Sequence, residues 1–287
     1  MKTKGIKSRS VHHMSEKLHI YIARKYLHML KTIGGDRGMR FYAKTIGILP
    51  GFDNVRFSKD LHNRTLVSVR GEQWHLPYSN GILPTKGLLF MLSVGLEEWI
   101  RTKYRFHGFV EVEEGDTVID CGGFIGAFSK SIAASAGRVF IFEPSPVNFE
   151  AVKDNLSECQ NVKPLNLGLF NNGQIMEMNL SKTCVDDSLL DPDMGSTGEK
   201  VQVNVVRLDE WAKENGIEKI DFLKLEAEGV ENEILDGAEN IKIRKIAADA
   251  SPERNGKSNA EDLKETLRKR GYEIRERSKM VFARLKD

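Results

Sequence analysis

Beyond residue 115 the chain alternates short apolar runs with amphipathic stretches. The runs Thr117–Cys121, Arg138–Glu143, Val162–Leu167, Ile220–Leu225 and Lys242–Ala248 have the length of buried strands. Between and after them, Ala127–Ala136, Pro146–Ser157, Glu228–Ala238 and Asn259–Arg270 carry helical spacing. Strands that alternate with helices predict an open parallel sheet covered on both faces. The last two runs, Tyr272–Arg277 and Met280–Leu285, are separated only by Ser278-Lys279. So short a link joins antiparallel neighbours.

The earlier part of the chain is patterned differently. In Ser15–Ile33 the residues Leu18, Ile22, Tyr26, Met29 and Ile33 form one helical stripe, and Lys17, Arg24 and Lys31 fall on another face. Residues 34–84 are rich in Gly, Pro, Asn and Asp, with a hairpin pattern around Arg70-Gly71 (Leu66, Val67, Val69, then Trp74 and Leu76). Lys86–Phe106 predicts a helix burying Leu88, Leu89, Leu92, Leu96, Trp99 and Ile100. Three parts follow: a basic arm with an amphipathic helix over 1–44, an appendage of hairpin and helix over 45–106, and a nucleotide-type domain over 107–287.

Composition narrows the class. With 40% hydrophobic and 29% charged residues the chain is globular, not disordered or collagen-like. Cys121, Cys159 and Cys184 show no metal-ligand spacing and fit a reducing compartment better than a disulfide framework. The longest nearly apolar run, Gly87–Leu96, falls short of the roughly 18 residues of a spanning helix. Arg24-Lys25 interrupts the hydrophobic stretch a secretory signal would need. A cytoplasmic location is the expectation. The formal charge of +2 hides an asymmetry: eleven basic and two acidic residues give the first 44 positions +9, and the remainder sums to −7. Such an arm suits peripheral contact with an anionic membrane surface or an anionic acceptor.

The strongest chemical signal is Val118-Ile119-Asp120-Cys121-Gly122-Gly123-Phe124-Ile125-Gly126, a strand that ends in Asp and turns through glycines into a helix. Glycines permit a sharp turn and a close approach by a ligand. Glu143 ends the next strand, 21 positions after Gly122, where an acid can accept hydrogen bonds from two ribose hydroxyls. Nicotinamide and S-adenosylmethionine enzymes both hold a ribose there. Asp120 favours the second, because a carboxylate suits a cationic methionine moiety and repels a pyrophosphate.

These segments, with Phe142-Glu143-Pro144-Ser145-Pro146-Val147-Asn148-Phe149, Arg207-Leu208-Asp209-Glu210, Ile220-Asp221-Phe222-Leu223-Lys224-Leu225-Glu226-Ala227-Glu228-Gly229-Val230-Glu231 and Leu235-Asp236-Gly237-Ala238, resemble the FkbM-type methyltransferase family in order and spacing. The resemblance runs from about Gly115 to Gly237. It implies a Rossmann-like class I methyltransferase fold: α/β, with a mostly parallel seven-stranded sheet closed by a C-terminal antiparallel hairpin. It also implies S-adenosyl-L-methionine as cofactor, held by Asp120, Gly122, Gly123, Gly126, Glu143, Pro144, Asn148 and Asn166. The implied activity is O-methylation of a hydroxyl on a small-molecule or glycan acceptor: a saccharide, a lipid-linked glycan or a secondary metabolite. Two positions depart from the family pattern. Gly123-Phe124 replaces Ala-Asn in the glycine turn, and Glu226 stands where the family has the shorter Asp.

Lys224, Glu226 and Glu228 alternate and so share one face of an extended strand end. Glu228 is the leading candidate for general base, Glu226 the second, and Lys224 an orienting partner. A rival arrangement has Glu226 and Asp249 holding a divalent metal that acidifies the acceptor hydroxyl. Two other functions stand beside methyl transfer to a small acceptor. One is an RNA-binding methyltransferase using the basic arm, although no RNA-binding module, Asn-Pro-Pro-Tyr element or zinc cluster accompanies it. The other is an NAD-dependent oxidoreductase, for which Tyr21 and Lys25 have the right spacing but precede the nucleotide domain.

Overall fold

The computed structural model describes residues 55–79, 86–181, 184, 187–190, 196–253 and 256–286. The arm helix expected over Ser15–Ile33, His12-His13 and the Tyr21/Lys25 pair lie outside the described residues. The chain divides into two compact units, Met1–Leu96 and Glu97–Asp287.

In the first unit, β1 (Arg56–Lys59), β2 (Arg64–Val69) and β3 (Glu72–Ser79) form an antiparallel meander. Arg70 and Gly71, with φ of 55° and 79°, make the two-residue turn whose twist matches that of the strands. Val67 and Trp74 face each other across β2 and β3, both fully buried. The single helix expected over Lys86–Phe106 is two, α1 (Lys86–Val94) and α2 (Leu96–Lys103). The break is Gly95, whose φ of 104° lies far from helical values.

The second unit takes in α2 from Glu97 onward and carries β4 (Thr117–Cys121), α3 (Ala127–Ile132), β5 (Arg138–Phe142), α4 (Pro146–Asn155) and β6 (Val162–Leu165). After an interruption come α5 (Leu208–Glu214), β10 (Lys219–Leu225), α6 (Glu231–Asp236), β11 (Lys242–Asp249), α7 (Ala260–Lys269), β12 (Tyr272–Arg277) and β13 (Met280–Leu285). The interruption is a small separate sheet of β7 (Gly168–Leu169), β9 (Ser196–Val206) and β8 (Gln174–Ser181) in that spatial order. Neither this sheet nor α5 was anticipated from the sequence. The main sheet has seven strands in the order β12-β13-β11-β10-β4-β5-β6. The pairs among β6, β5, β4, β10 and β11 are parallel, and β13 is antiparallel to both its neighbours. This is the Rossmann-like class I methyltransferase arrangement, with the expected terminal hairpin.

The two-residue period of the strands sorts the core into two layers. Ile119, Cys121, Phe140, Phe142, Leu223 and Leu225 pack with Trp211 of α5, Ile234 of α6 and Leu263 of α7. Val118, Val139, Ile141, Phe222 and Ala247 pack on the opposite face with Phe128 of α3, Val152 of α4 and Tyr104. Asp120 and Lys224 alternate with residues of the first layer, so they face the second. The helix expected from Glu228 begins only at Glu231, because Glu228 and Gly229 adopt φ of 51° and 97°.

Candidate active site

Strand register assembles a row of charged groups at the carboxyl edge of the sheet. Lys224 on β10 lies opposite Asp120 on β4 and Ala247 on β11. Two residues further along the chain, Glu226 and Asp249 continue on that face at the ends of β10 and β11. Lys224 Nζ is 3.1 Å from Asp120 Oδ1 and 3.3 Å from Glu226 Oε2, and donates to the carbonyls of Cys121 and Gly122. The other Asp120 oxygen accepts from Ser129 Oγ at 2.7 Å. Burial alone would lower the Lys224 pKa, but Asp120 and Glu226 raise it above its ordinary value. Removing one member of so deeply buried a pair typically costs about 3–5 kcal/mol.

The other half of the row centres on Glu143, which is almost wholly buried immediately after β5. Its Oε2 accepts from the Phe124 N–H at 2.7 Å and its Oε1 from the Ser145 N–H at 2.9 Å. Each oxygen therefore keeps a lone pair for a further donor. Burial pushes the Glu143 pKa up to about 7, against the two N–H groups and Lys224, with Asp187 adding to the rise. Gly122 has φ 77°, and a Cβ there would lie 1.9 Å from the Glu226 carbonyl oxygen. The turn thus needs glycine to pass β10, whatever it binds. Gly123 and Gly126 are likewise hemmed in, by Ile141 and Leu156. Asn166 Nδ2 donates to the carbonyls of Glu143 and Pro144 at 2.9 and 3.0 Å, holding the turn that presents the carboxylate. Asn148, buried in the first turn of α4, donates to the Cys184 carbonyl at 3.0 Å, and its Oδ1 is buried with no protein partner.

A family model described as "Methyltransferase FkbM domain" matches residues 120–274, more than half of the chain. The chain belongs to the FkbM methyltransferase family. Among curated relatives, it is 27% identical over 180 residues to the 31-O-demethyl-FK506 methyltransferase FkbM of Streptomyces tacrolimicus, a match covering 51% of this chain and 69% of the relative. It is 28% identical over 131 residues to the hexuronic acid methyltransferase AglP of Haloferax volcanii, covering 45% of this chain and 53% of that protein. The match thus spans about half the length of the second relative. A solved structure, the methyltransferase FkbM from Methylobacillus flagellatus KT, aligns with 15% identity and a TM-score of 0.43, over 68% of this chain and 52% of that one.

Around Glu228 the structure of this FkbM family member differs from the sequence expectation. The alternation that grouped Glu228 with Lys224 and Glu226 stops at Leu225, where β10 ends. Glu228 sits in a left-handed turn, and its carbonyl accepts from Ser188 Oγ at 3.3 Å. Lys224 and Glu226 meet at 3.3 Å, and strand alternation no longer sets the direction of Glu228. The turn is held instead by Glu231, whose Oε1 accepts from the N–H groups of Ala227 and Gly229 at 3.0 and 3.2 Å, and whose Oε2 accepts from Asn259 Nδ2 at 2.5 Å.

Three residues of the site had no motif to announce them. Lys103, at the end of α2, places its Nζ 2.5 Å from Glu226 Oε1 and 2.8 Å from Asp249 Oδ2. Burial would raise the Glu226 pKa, but Lys103 and Lys224 hold it well below the ordinary carboxylate range. The same two carboxylates overcome burial at Lys103 and raise its pKa. Tyr104 is buried beneath, with Lys103 Nζ 4.9 Å and Lys224 Nζ 5.3 Å from its ring centroid. Glu253 follows β11; burial and then Glu231, Asp249 and Glu226 push its pKa up to about 8, and its Oε2 is buried with no hydrogen-bond partner. The carboxylates of Glu226 and Asp249 do converge, as the metal alternative required, but they converge on an ammonium. A divalent ion bridging the two oxygens would need the space that Lys103 Nζ fills, 2.5 and 2.8 Å from them. The pair as built does not fit a metal.

Proposed function

We propose that the protein is an S-adenosylmethionine-dependent O-methyltransferase whose acceptor is a hydroxyl on a saccharide, a lipid-linked glycan or a secondary metabolite. The observation that carries this reading is the Glu143 carboxylate, buried beside the glycine turn with one lone pair left on each oxygen. That pair of acceptors suits the two hydroxyls of a ribose. Asn148 Oδ1 supplies a further buried acceptor for an amino group, and Asp120 with Lys224 forms a polar floor under the turn. When bound, the cofactor supplies an electrophilic methyl group. The chain orients it and holds an acceptor oxygen in line, and positioning of this kind accounts for much of the rate in such transfers. The two curated relatives are named for methylating 31-O-demethyl-FK506 and a hexuronic acid, which supports a small or saccharide acceptor over a nucleic acid.

Calorimetry with S-adenosylmethionine tests the cofactor assignment. Glu143→Ala should weaken binding by about 1.5–3 kcal/mol for each charged hydrogen bond lost. An unchanged dissociation constant in a folded Glu143→Ala protein would remove the residue from the site.

An alcohol oxygen becomes a good nucleophile once its proton is taken. Glu226 is a poor base, because two ammonium groups hold its carboxylate in the ionised form. We assign the base to Glu228, which lies in the Glu231-held turn three residues beyond the end of β10. Single-turnover transfer to an acceptor found by screening with labelled cofactor should drop about a hundredfold or more in Glu228→Gln with cofactor affinity intact. Full activity in that variant would exclude Glu228 as the base.

A further inference from the structure

We propose that Lys103 takes the place of a divalent cation in this site. Its ammonium ties Glu226 to Asp249 beside the acceptor, and transfer runs without a bound metal. The statement about turnover rests on the methyltransferase reading; the statement about the site does not.

The geometry is that of a cation site with the cation built in. Glu226 and Asp249 come from the ends of adjacent parallel strands and present one oxygen each to a common point, at 2.5 and 2.8 Å from Lys103 Nζ. Hard divalent cations take carboxylate oxygens in this way. The lysine is also anchored at that point. Arg277 donates to the carbonyls of Thr102 and Lys103 at 2.7 and 2.9 Å, satisfying the end of α2. The Tyr104 ring supports the Nζ from below.

Charge balance makes the lysine necessary. Asp120, Lys224, Glu226, Lys103 and Asp249 form a chain of alternating sign. Without Lys103, Glu226 would keep Lys224 and Asp249 would lose the ammonium it pairs with, while the Glu253 carboxylate, one oxygen of which is unpartnered, adds negative charge to both. A vacated ammonium site would leave the Glu226 and Asp249 oxygens facing a common point, the kind of carboxylate pair that a divalent ion with water ligands can occupy.

The test is a titration with manganese(II) chloride, read by calorimetry and by melting temperature, on the wild-type chain, Lys103→Ala and Lys103→Arg. Wild type and Lys103→Arg should show no stoichiometric site, and Lys103→Ala should bind manganese about tenfold or more tighter, with a melting temperature that rises only with the metal. Where Lys103→Ala is unfolded in chelator, folding on addition of manganese, with no effect of potassium chloride at equal ionic strength, supports the proposal equally. Stoichiometric manganese binding by wild type overturns it. So does a folded Lys103→Ala that gains no affinity, or one that folds under neither condition. Cofactor calorimetry on wild type is read separately. A chain that binds no S-adenosylmethionine while Lys103→Ala gains manganese removes the methyl-transfer reading and leaves the lysine bridge in place.

Discussion

At the scale of single residues, the role proposed for Glu143 would make cofactor binding depend on pH. Its carboxyl pKa is raised in the folded protein from an ordinary 4.5 to about 7, first by burial. Between those values the folded state holds more protons than the unfolded one. The contribution of Glu143 to stability is therefore present at low pH and is lost as pH climbs through that window. Binding has the opposite dependence, because ribose hydroxyls donate to the ionised form. Cofactor affinity should rise with pH up to about 7 and then level off, and binding near pH 6.5 should release a fraction of a proton. Calorimetry in two buffers of different ionisation heat measures that release directly. Its persistence in Glu143→Gln would assign the proton to another group.

Among the elements, what the sequence made legible followed the strands. β4, β12 and β13 have the bounds their apolar runs predict, and the other strands of the main sheet end within two residues of expectation. The face shared by Lys224 and Glu226 follows from alternation, and the register that sets Lys224 opposite Asp120 comes from the pairing of β10 with β4. The departures arise where backbone conformation, not side-chain pattern, decides. Gly95 splits one expected helix, and the left-handed pair Glu228-Gly229 delays another and carries Glu228 off the strand face. The small sheet had a readable signal in Val201, Val203 and Val205, which alternate with Gln202 and Asn204, but β8 and β9 lie between motifs and drew no assignment. Lys103 was out of reach for a different reason. It meets Glu226 across 123 positions of sequence, and no local pattern marks a lysine at a helix end as the bridge between two strand ends.

On the scale of the whole molecule, charge and chemistry are segregated. Every residue assigned to the candidate site lies from Lys103 onward, in a remainder that sums to −7, and the first 44 residues carry +9. No helix among the described residues is long and apolar enough to cross a membrane. An anionic surface would therefore be met by charge, at about 1 kcal/mol per basic residue close to it, and salt would weaken the contact over a Debye length of about 10 Å at 0.1 M. The full chain should sediment with vesicles containing phosphatidylserine and be released at about 0.5 M salt. Deleting Met1–Lys44 should abolish sedimentation and leave S-adenosylmethionine affinity unchanged, since no assigned site residue is lost. A truncated chain that fails to fold would make the arm part of the core. If the full chain bound RNA with the same salt dependence and ignored vesicles, the arm would instead serve an anionic polymer.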